Sequence, residues 1–160
     1  MGATIDLHLH TLASDGRLTP TELIQLVAKQ GLKTISITDH DSTEGLAEAY
    51  EAAKEFPDLR IIPGIEMSAD LPGNEVHVLG YFLDYHDVEF QASLTEFRRG
   101  RVDRAQIMVE KLEALGKPVD WERVQHFAGD GSVGRPHIAL AMVEAGYFKE
   151  PKEAFEEYLG

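Results

Sequence analysis

The sequence predicts an α/β protein, with strands and helices alternating in its first half and helices alone in its second half. Three observations support this prediction. Strand and helix patterns alternate between residues 5 and 66, as is typical of parallel strands joined by crossover helices. No strand pattern follows Phe82, and the 160 residues are enough for a sizeable core. We therefore expect strands within residues 1–84 and a helical subdomain over residues 85–160.

The first predicted strand, residues 5–9, carries the earliest candidate site. Its apolar residues alternate with polar ones that include His8, as expected for a strand with one packed face. His8 and His10 share the other face, where two imidazoles can bind one cation, and Asp15 lies where the chain must turn. Histidines that merely face solvent would give the same pattern, so this motif alone leaves both interpretations open.

The next elements follow in the order expected for βαβ units. Thr19, Pro20 and Glu22 predict a helix start, because they supply an N-cap, a first-turn proline and the acidic partner of a capping box. Residues 34–38 predict a second strand, residues 43–56 a second helix, and residues 59–63 a third strand whose exit contains Glu66.

Polar residues follow the predicted strands in a regular way. The carboxyl ends of neighbouring parallel strands lie at one edge of a sheet, where α/β proteins place their chemistry. The candidates at or just after these ends are His8, His10, Asp15, His40 and Glu66. His77, inside a predicted fourth strand over residues 75–82, either completes this cluster or is a buried core histidine.

A long helix predicted from Asp87 to Leu115 carries three arginines at intervals of three residues. Arg98 and Arg104 fit a solvated basic face that pairs with neighbouring acids. Arg101 interrupts the apolar stripe, where an aliphatic residue is expected. Either it belongs to the same solvated face or it points toward an anionic ligand.

A later helix start is a candidate anion site. Pro136 predicts the first turn of a helix that ends at Gly146, which places Arg135 and His137 at its N-terminus. Free backbone N–H groups and the helix dipole favour a bound anion there. Shorter helices are predicted over residues 121–127 and from residue 151 onward.

Composition excludes several classes of function. The formal charge of −13, from 28 acidic and 15 basic residues, would repel duplex DNA. The absence of cysteine excludes disulfides and thiolate metal sites and is consistent with a reducing compartment. No apolar run is long enough for a membrane span, and residues 1–4 lack the pattern of a signal peptide. We therefore expect a cytoplasmic protein without a membrane partner.

Four motifs in order resemble those of the polymerase and histidinol phosphatase (PHP) family of metal-dependent phosphoesterases. They are residues 6–11 with Ser14-Asp15-Gly16, Thr38-Asp39-His40-Asp41, Pro63-Gly64-Ile65-Glu66, and His77 within a strand. The segment Gly134-Arg135-Pro136-His137-Ile138-Ala139 is similar to the insertion of one subgroup of that family. That subgroup dephosphorylates nucleoside 3′,5′-bisphosphates and trims short RNA from its 5′ end.

The resemblance implies a fold and a metal cluster. The fold is a distorted (β/α)7 barrel similar to a TIM barrel, of which this chain would form the N-terminal part with a helical insertion. The cluster is two or three divalent ions, manganese, zinc or iron, among which the sequence does not discriminate. The implied ligands are His8, His10, Asp15, His40, Glu66 and His77, with Glu66 bridging two ions.

The resemblance also implies roles in catalysis. A metal-bound hydroxide would hydrolyse the phosphate monoester of a nucleotide or short RNA, with Glu66 and His10 in the catalytic centre. Arg135 would bind the phosphate, assisted by His137 or Arg101. Asp6 and Asp39 are expected to accept the second N–H of ligating histidines.

Family members also contain an Ala-His-Pro segment and a late Asp-x-His that complete the cluster, and neither occurs within these 160 residues. A complete barrel needs about 200 residues or more, so we expect a C-terminal segment or a partner chain to complete it. The segment Asp84-Tyr85-His86 also has the Asp-x-His pattern. It directly follows the fourth strand, however, so we do not expect it to replace the late motif. Two alternatives remain: a phosphatase of another small phosphomonoester, such as histidinol phosphate, or a metal-binding or regulatory module without turnover.

Overall fold

The computed structural model describes residues 4–71 and 74–160. The expectation about a signal peptide concerns residues 1–4, of which residues 1–3 lie outside the described residues. The described part is a mixed α/β structure with a curled sheet that forms half a barrel. Its elements, in chain order, are β1 (Ile5–Leu9), α1 (Pro20–Lys29), β2 (Thr34–Ile37), α2 (Glu44–Ala53), β3 (Arg60–Leu71), β4 (Asn74–Tyr81), α3 (Val88–Ala114), α4 (Trp121–Ala128), α5 (Arg135–Glu144), α6 (Pro151–Ala154) and a π-helical segment (Phe155–Leu159).

The sheet has the order β1-β2-β3-β4. β1 pairs with β2 and β2 with β3 in parallel, through the crossover helices α1 and α2, as the alternating pattern predicts. β4 pairs with β3 in the antiparallel direction, because the two strands form a hairpin. The α/β class and the relation to a TIM-like barrel are therefore confirmed.

The third strand extends further than the sequence pattern indicates. The prediction ends it at Pro63, whereas β3 runs to Leu71 and has Glu66 in its middle. The reason is the hairpin partner, since β4 hydrogen-bonds to β3 from Gly64 onward and keeps the chain extended. The expectation that Glu66 follows the strand is therefore wrong, although Glu66 still pairs with His40, just beyond the end of β2.

The helix signals in the sequence are confirmed at α1. The Thr19 side chain accepts a hydrogen bond from the Glu22 backbone N–H at 3.2 Å, and the Glu22 carboxylate accepts one from the Thr19 N–H at 2.9 Å. This reciprocal pair is the predicted capping box.

The long helix α3 buries a narrower stripe than predicted. Its buried residues are Leu94, Arg101, Ala105 and Leu112. Phe97, whose spacing from Leu94 and Arg101 also fits this stripe, is 48% exposed. Among the described residues, no helix combines the length and apolar character that crossing a membrane requires.

Buried apolar side chains form two clusters. The first joins α1, α2 and the parallel strands around Leu23, Ile24, Val27, Ile35, Ile37, Leu46, Ala49 and Ile61. The second joins the later part of α3 to the helices that follow it, and includes Leu112, Val124, Ile138 and Met142. A domain boundary near residue 84 remains a prediction.

The motif glycine Gly64 shows how closely β3 packs against β2. A Cβ placed on Gly64 would overlap the Ser36 Oγ and lie 2.8 Å from the Thr38 Cγ2. We therefore predict that Gly64→Ala lowers the free energy of unfolding by about 1–3 kcal/mol, as overpacking does. Gly100, on α3, has open space around it, so Gly100→Ala should raise stability by about 0.5–1 kcal/mol.

Urea unfolding of both variants tests this pair of predictions. Equal stability of Gly64→Ala and the unsubstituted protein would contradict the close packing.

Candidate metal centre and adjoining cavity

The parallel register of the first three strands brings the predicted donors together. Beyond the end of β2 the chain stays hydrogen-bonded to β3, because the Asp41 N–H donates to the Glu66 carbonyl at 3.0 Å and the Glu66 N–H donates to the Asp39 carbonyl at 3.2 Å. His40 and Glu66 are therefore paired across the two segments. On the other side of β2, the Thr38 N–H donates to the Leu9 carbonyl at 2.8 Å, which places the end of β1 alongside.

The Glu66 carboxylate is at the centre of this cluster and is nearly inaccessible, with the residue 4% exposed. Its Oε2 lies near three imidazoles: 2.7 Å from the His8 Nε2, 3.0 Å from the His10 Nε2 and 3.8 Å from the His40 Nδ1. Its Oε1 lies 2.6 Å from the His77 Nδ1. The two oxygens of one carboxylate therefore face different histidines.

Asp15 closes the cluster from the loop after β1. Its Oδ1 lies 3.3 Å from the His10 Nδ1, and its Oδ2 lies 3.6 Å from the His40 Nε2. The six candidates for metal binding thus form three overlapping groups: His8, His10 and Glu66; His10, Asp15 and His40; and His40, Glu66 and His77. In each group the donor atoms lie within 4.8 Å of one another.

The chemistry of these donors fits a divalent transition metal. Imidazole nitrogens and carboxylate oxygens suit zinc, manganese and iron, whereas calcium and magnesium prefer oxygen alone. The buried Nδ1 of His40 has no hydrogen-bond partner among the described residues, which is unusual for a buried polar atom. A cation shared with Glu66 would satisfy that nitrogen.

Burial and charge set the protonation of two donors. Burial lowers the pKa of His40 to about 4, which the nearby Asp15 only partly offsets. Burial by itself would raise the pKa of Glu66, but the hydrogen bonds with His8 and His77 outweigh it and lower that pKa. His40 is therefore neutral and Glu66 ionised near pH 7, the states in which both can bind a metal ion.

The two aspartates expected to support the histidines have other partners. The carboxylate of Asp39 accepts hydrogen bonds from the Thr11 backbone N–H, the Thr11 hydroxyl and the Ser14 hydroxyl. Asp6 accepts a hydrogen bond from the backbone N–H of His8. Within the described residues, neither carboxylate accepts a hydrogen bond from a histidine ring, so that expectation is wrong.

Arg101 is buried, with 8% of the residue exposed, so the interpretation as a solvated residue is wrong. Its Nε donates to the buried Asp41 carboxylate and its Nη2 to the Ser68 hydroxyl. Asp41 also accepts the Ser68 backbone N–H at 3.0 Å and has a positive φ of 48°. This network joins α3 to the segment after β2 and to β3, immediately next to the cluster.

A cavity of about 220 Å³ adjoins the donor cluster. Its lining combines metal-ligand candidates, guanidinium groups and apolar side chains: Asp15, His40, His77, Arg101, Arg104, Arg135, Met108, Val133 and Phe155. Sequence analysis did not identify Ser132, which also lines this cavity. Its hydroxyl is buried and has no hydrogen-bond partner among the described residues. No pattern in the sequence around Ser132 indicates a buried hydroxyl. Arg104, which the sequence places on a solvated basic face, also lines the cavity.

His137 is not itself a lining residue of the cavity, but it contacts Gly134, which is. It is 4% exposed, and its Nδ1 accepts a hydrogen bond from the Gly134 backbone N–H at 3.0 Å. Burial lowers its pKa, while Asp15 and a hydrogen bond to the Ser14 backbone act in the opposite direction. The ring therefore links the start of α5 to the loop after β1, and its expected contact with substrate stays a prediction.

Comparison with known proteins identifies relatives over nearly the whole chain. Residues 6–159 match the PHP domain family. The 5′-3′ exoribonuclease Rnm of Escherichia coli is 39% identical over an alignment 158 residues long, which covers 96% of this chain and 53% of that protein. The 3′,5′-nucleoside bisphosphate phosphatase of Chromobacterium violaceum is 35% identical over 158 residues, 98% of this chain and 55% of that protein.

A solved structure shares the fold. An amidohydrolase from Chromobacterium violaceum, with bound sulfate and no metal, is 35% identical and superimposes with a TM-score of 0.89. The match covers 98% of this chain and 55% of that one. This chain therefore spans about half the length of the relatives it matches.

The buried neutral His40 predicts acid sensitivity of the metal-free protein. Its pKa of about 4 in the folded state lies below the ordinary value of 6.5, so the unfolded chain binds more protons between these pH values. The free energy of unfolding should therefore rise with pH across this window and fall as the pH drops through it.

Urea unfolding of chelator-treated protein at several pH values measures this slope. His40→Gln should flatten it. A variant whose stability changes with pH as steeply as that of the unsubstituted protein would contradict the assignment to His40.

Proposed function

The chain belongs to the PHP domain family, and from this premise we propose that it acts as a metal-dependent phosphoesterase on phosphate monoesters of nucleotides. Nucleoside 3′,5′-bisphosphates and short oligonucleotides are the proposed substrates. The names of two relatives, a nucleoside bisphosphate phosphatase and a 5′-3′ exoribonuclease, support this substrate class.

One observation carries the proposal: the candidate metal donors and three arginines line the same cavity. Its lining residues include Asp15, His40 and His77, and also Arg101, Arg104 and Arg135. A phosphate ester bound there would lie near the candidate metal donors and near cationic side chains that can offset the charge on its oxygens.

We assign the metal ligands to His8, His10, Asp15, His40, Glu66 and His77. Two or three ions of manganese, zinc or iron fit this number of donors. Glu66 is proposed to bridge two of them, because its Oε2 faces His8 and His10 while its Oε1 faces His77. When bound, such ions activate water and offset negative charge on the phosphoryl oxygens.

Arg135 is the residue we assign to the phosphate. It is the first residue of α5, where backbone N–H groups and the helix dipole favour an anion. Ser132 lines the same cavity, and its buried hydroxyl, which has no hydrogen-bond partner within the described part of the chain, is a further donor for the phosphate. The sulfate bound by the C. violaceum amidohydrolase, a tetrahedral anion, supports anion binding in this fold. Arg101 is proposed to act through the Nη1 group near Gly134, since its other nitrogens contact Asp41 and Ser68.

The apolar part of the cavity favours a nucleoside over a small polar alcohol. Met108, Val133 and Phe155 line it together with the arginines. A nucleobase has apolar faces that pack against such side chains, whereas its phosphates need the cationic end. The lining therefore offers contacts suited to both parts of a nucleotide.

Hydrolysis of adenosine 3′,5′-bisphosphate by the full-length protein tests the proposed reaction. We predict phosphate release with Mn²⁺, Zn²⁺ or Fe²⁺ and its loss on chelation. Glu66→Gln or His8→Ala should reduce kcat/KM by at least about 100-fold, because removing even an outer support of a metal ligand costs about 10–100-fold. Glu113→Gln, at an exposed position on α3, is the matched control.

Phosphate release by Glu66→Gln at the rate of the unsubstituted protein would contradict the assignment. Faster hydrolysis of histidinol phosphate than of the nucleotide would move the substrate to another class. Metal binding without hydrolysis of any phosphomonoester would favour a regulatory module.

Arg135→Gln tests the phosphate contact separately. Losing a hydrogen bond to a charged group costs about 1.5–3 kcal/mol, so we predict a KM higher by about 10–100-fold. Arg123→Gln is the control, because Arg123 pairs with Glu144 on the exposed side of α4. A similar KM in both variants would exclude Arg135 from the phosphate site.

A further inference from the structure

Asp39 is a buried carboxylate beside the metal centre that the proposed reaction does not use. Only 1% of the residue is exposed. Its Oδ1 accepts hydrogen bonds from the Thr11 backbone N–H at 2.7 Å and from the Ser14 hydroxyl at 2.6 Å, and its Oδ2 accepts one from the Thr11 hydroxyl at 2.7 Å. All three donors belong to the loop between β1 and α1.

That loop folds into a tight turn around Thr11, which is fully buried. The Thr11 carbonyl accepts hydrogen bonds from the Ser14 N–H at 3.1 Å and the Gly16 N–H at 2.9 Å. The Thr11 hydroxyl accepts one from the Ala13 N–H at 3.1 Å while donating to Asp39. Asp39 therefore holds the residue on which the turn is built.

Asp15 lies inside this turn, between Ser14 and Gly16. It reaches the His10 Nδ1 at 3.3 Å and the His40 Nε2 at 3.6 Å, so its position depends on the path of the loop. The Ser14 hydroxyl also lies 3.4 Å from both the Asp15 Oδ1 and the His10 Nδ1. A displacement of the turn would therefore move a carboxylate donor away from two imidazole donors.

The helix that follows Asp39 encloses the same contact. Gly45, in the first turn of α2, is buried against it. A Cβ at Gly45 would lie 2.9 Å from the Thr11 Oγ1 and 3.1 Å from the Asp39 Oδ2. The first turn of α2 therefore packs directly against the hydrogen bond between Asp39 and Thr11.

We propose that Asp39 is a positioning residue that fixes the loop of residues 11–16 and thereby holds Asp15 among the metal ligands. The inference rests on the proposed function, since it assumes that Asp15, His10 and His40 share a metal ion. It assigns to Asp39 a different role from that of a hydrogen-bond acceptor for the histidine rings.

Binding of Mn²⁺ alone, measured by isothermal titration calorimetry on the full-length protein, tests the inference without an activity assay. We expect Asp39→Ala to weaken Mn²⁺ binding at one site by about 10–100-fold, the usual cost of removing a group that orients a ligand. Asp39→Ala combined with Asp15→Ala should bind no more weakly than Asp15→Ala alone, because Asp39 acts through Asp15. Asp58→Ala, an exposed residue paired with Lys33, should bind like the unsubstituted protein.

Rescue by the conservative variant separates positioning from a general loss of structure. In Asp39→Asn the amide oxygen can still accept from the Thr11 N–H and the Ser14 hydroxyl, so most of the affinity should return. An Asp39→Ala protein that binds Mn²⁺ as tightly as the unsubstituted one overturns the inference. Additive losses in the double variant also overturn it, because Asp39 would then act independently of Asp15.

Thr11→Val provides a second variant if Asp39→Ala does not fold. It removes one hydroxyl from the contact and should weaken Mn²⁺ binding by about fivefold, the equivalent of one hydrogen bond, while Thr11→Ser should retain it. Equal affinity of Thr11→Val and Thr11→Ser overturns the inference. If the unsubstituted protein binds no Mn²⁺, Zn²⁺ or Fe²⁺ at all, the metal site of the proposed function fails, and this inference fails with it.

Discussion

The structure of the site depends on one buried carboxylate. Glu66, on β3, makes short polar contacts with His8, His10 and His77 and lies near His40. One carboxylate therefore joins donors from three other parts of the sheet: β1 and its end, the segment after β2, and β4. Burying a carboxylate is costly unless it is paired or hydrogen-bonded. Four imidazoles around it meet that condition, and the same arrangement is suited to shared metal ions. The contacts that stabilise Glu66 are therefore also those that define the candidate centre.

The backbone makes this convergence possible. Parallel pairing places the ends of β1 and β2 next to the middle of β3, and the pairing of His40 with Glu66 continues that register beyond β2. The two aspartates beside His40 then connect to different parts of the molecule. Asp39 accepts hydrogen bonds from the loop that carries Asp15. Asp41 instead accepts them from Ser68 of β3 and from Arg101 of α3. His40 is thus held between two buried carboxylates, each of which fixes a neighbouring segment.

Sequence patterns predicted the strands, the helix starts and the six donor candidates, because these depend on short-range periodicity and on capping signals such as Thr19 with Glu22. Contacts between distant positions were not predictable in this way. The extension of β3 past Pro63 depends on β4, and the partner of Arg101 lies 60 positions earlier in the chain. Asp39 was expected to accept hydrogen bonds from the ligating histidines, whereas it accepts them from residues 25 and 28 positions away in the chain. The burial of the Ser132 hydroxyl without a hydrogen-bond partner among the residues that the structure describes also depends on tertiary packing.

A zinc-soaked crystal with anomalous diffraction data collected at the zinc edge would test most directly the central claim that Glu66 is shared between metal ions. We expect two anomalous peaks, one at about 2.0–2.2 Å from each oxygen of Glu66, with His8 or His10 beside the first and His77 beside the second. A single peak bound to one oxygen would contradict the bridging role. Zinc bound only at sites remote from Glu66 would contradict the metal centre itself.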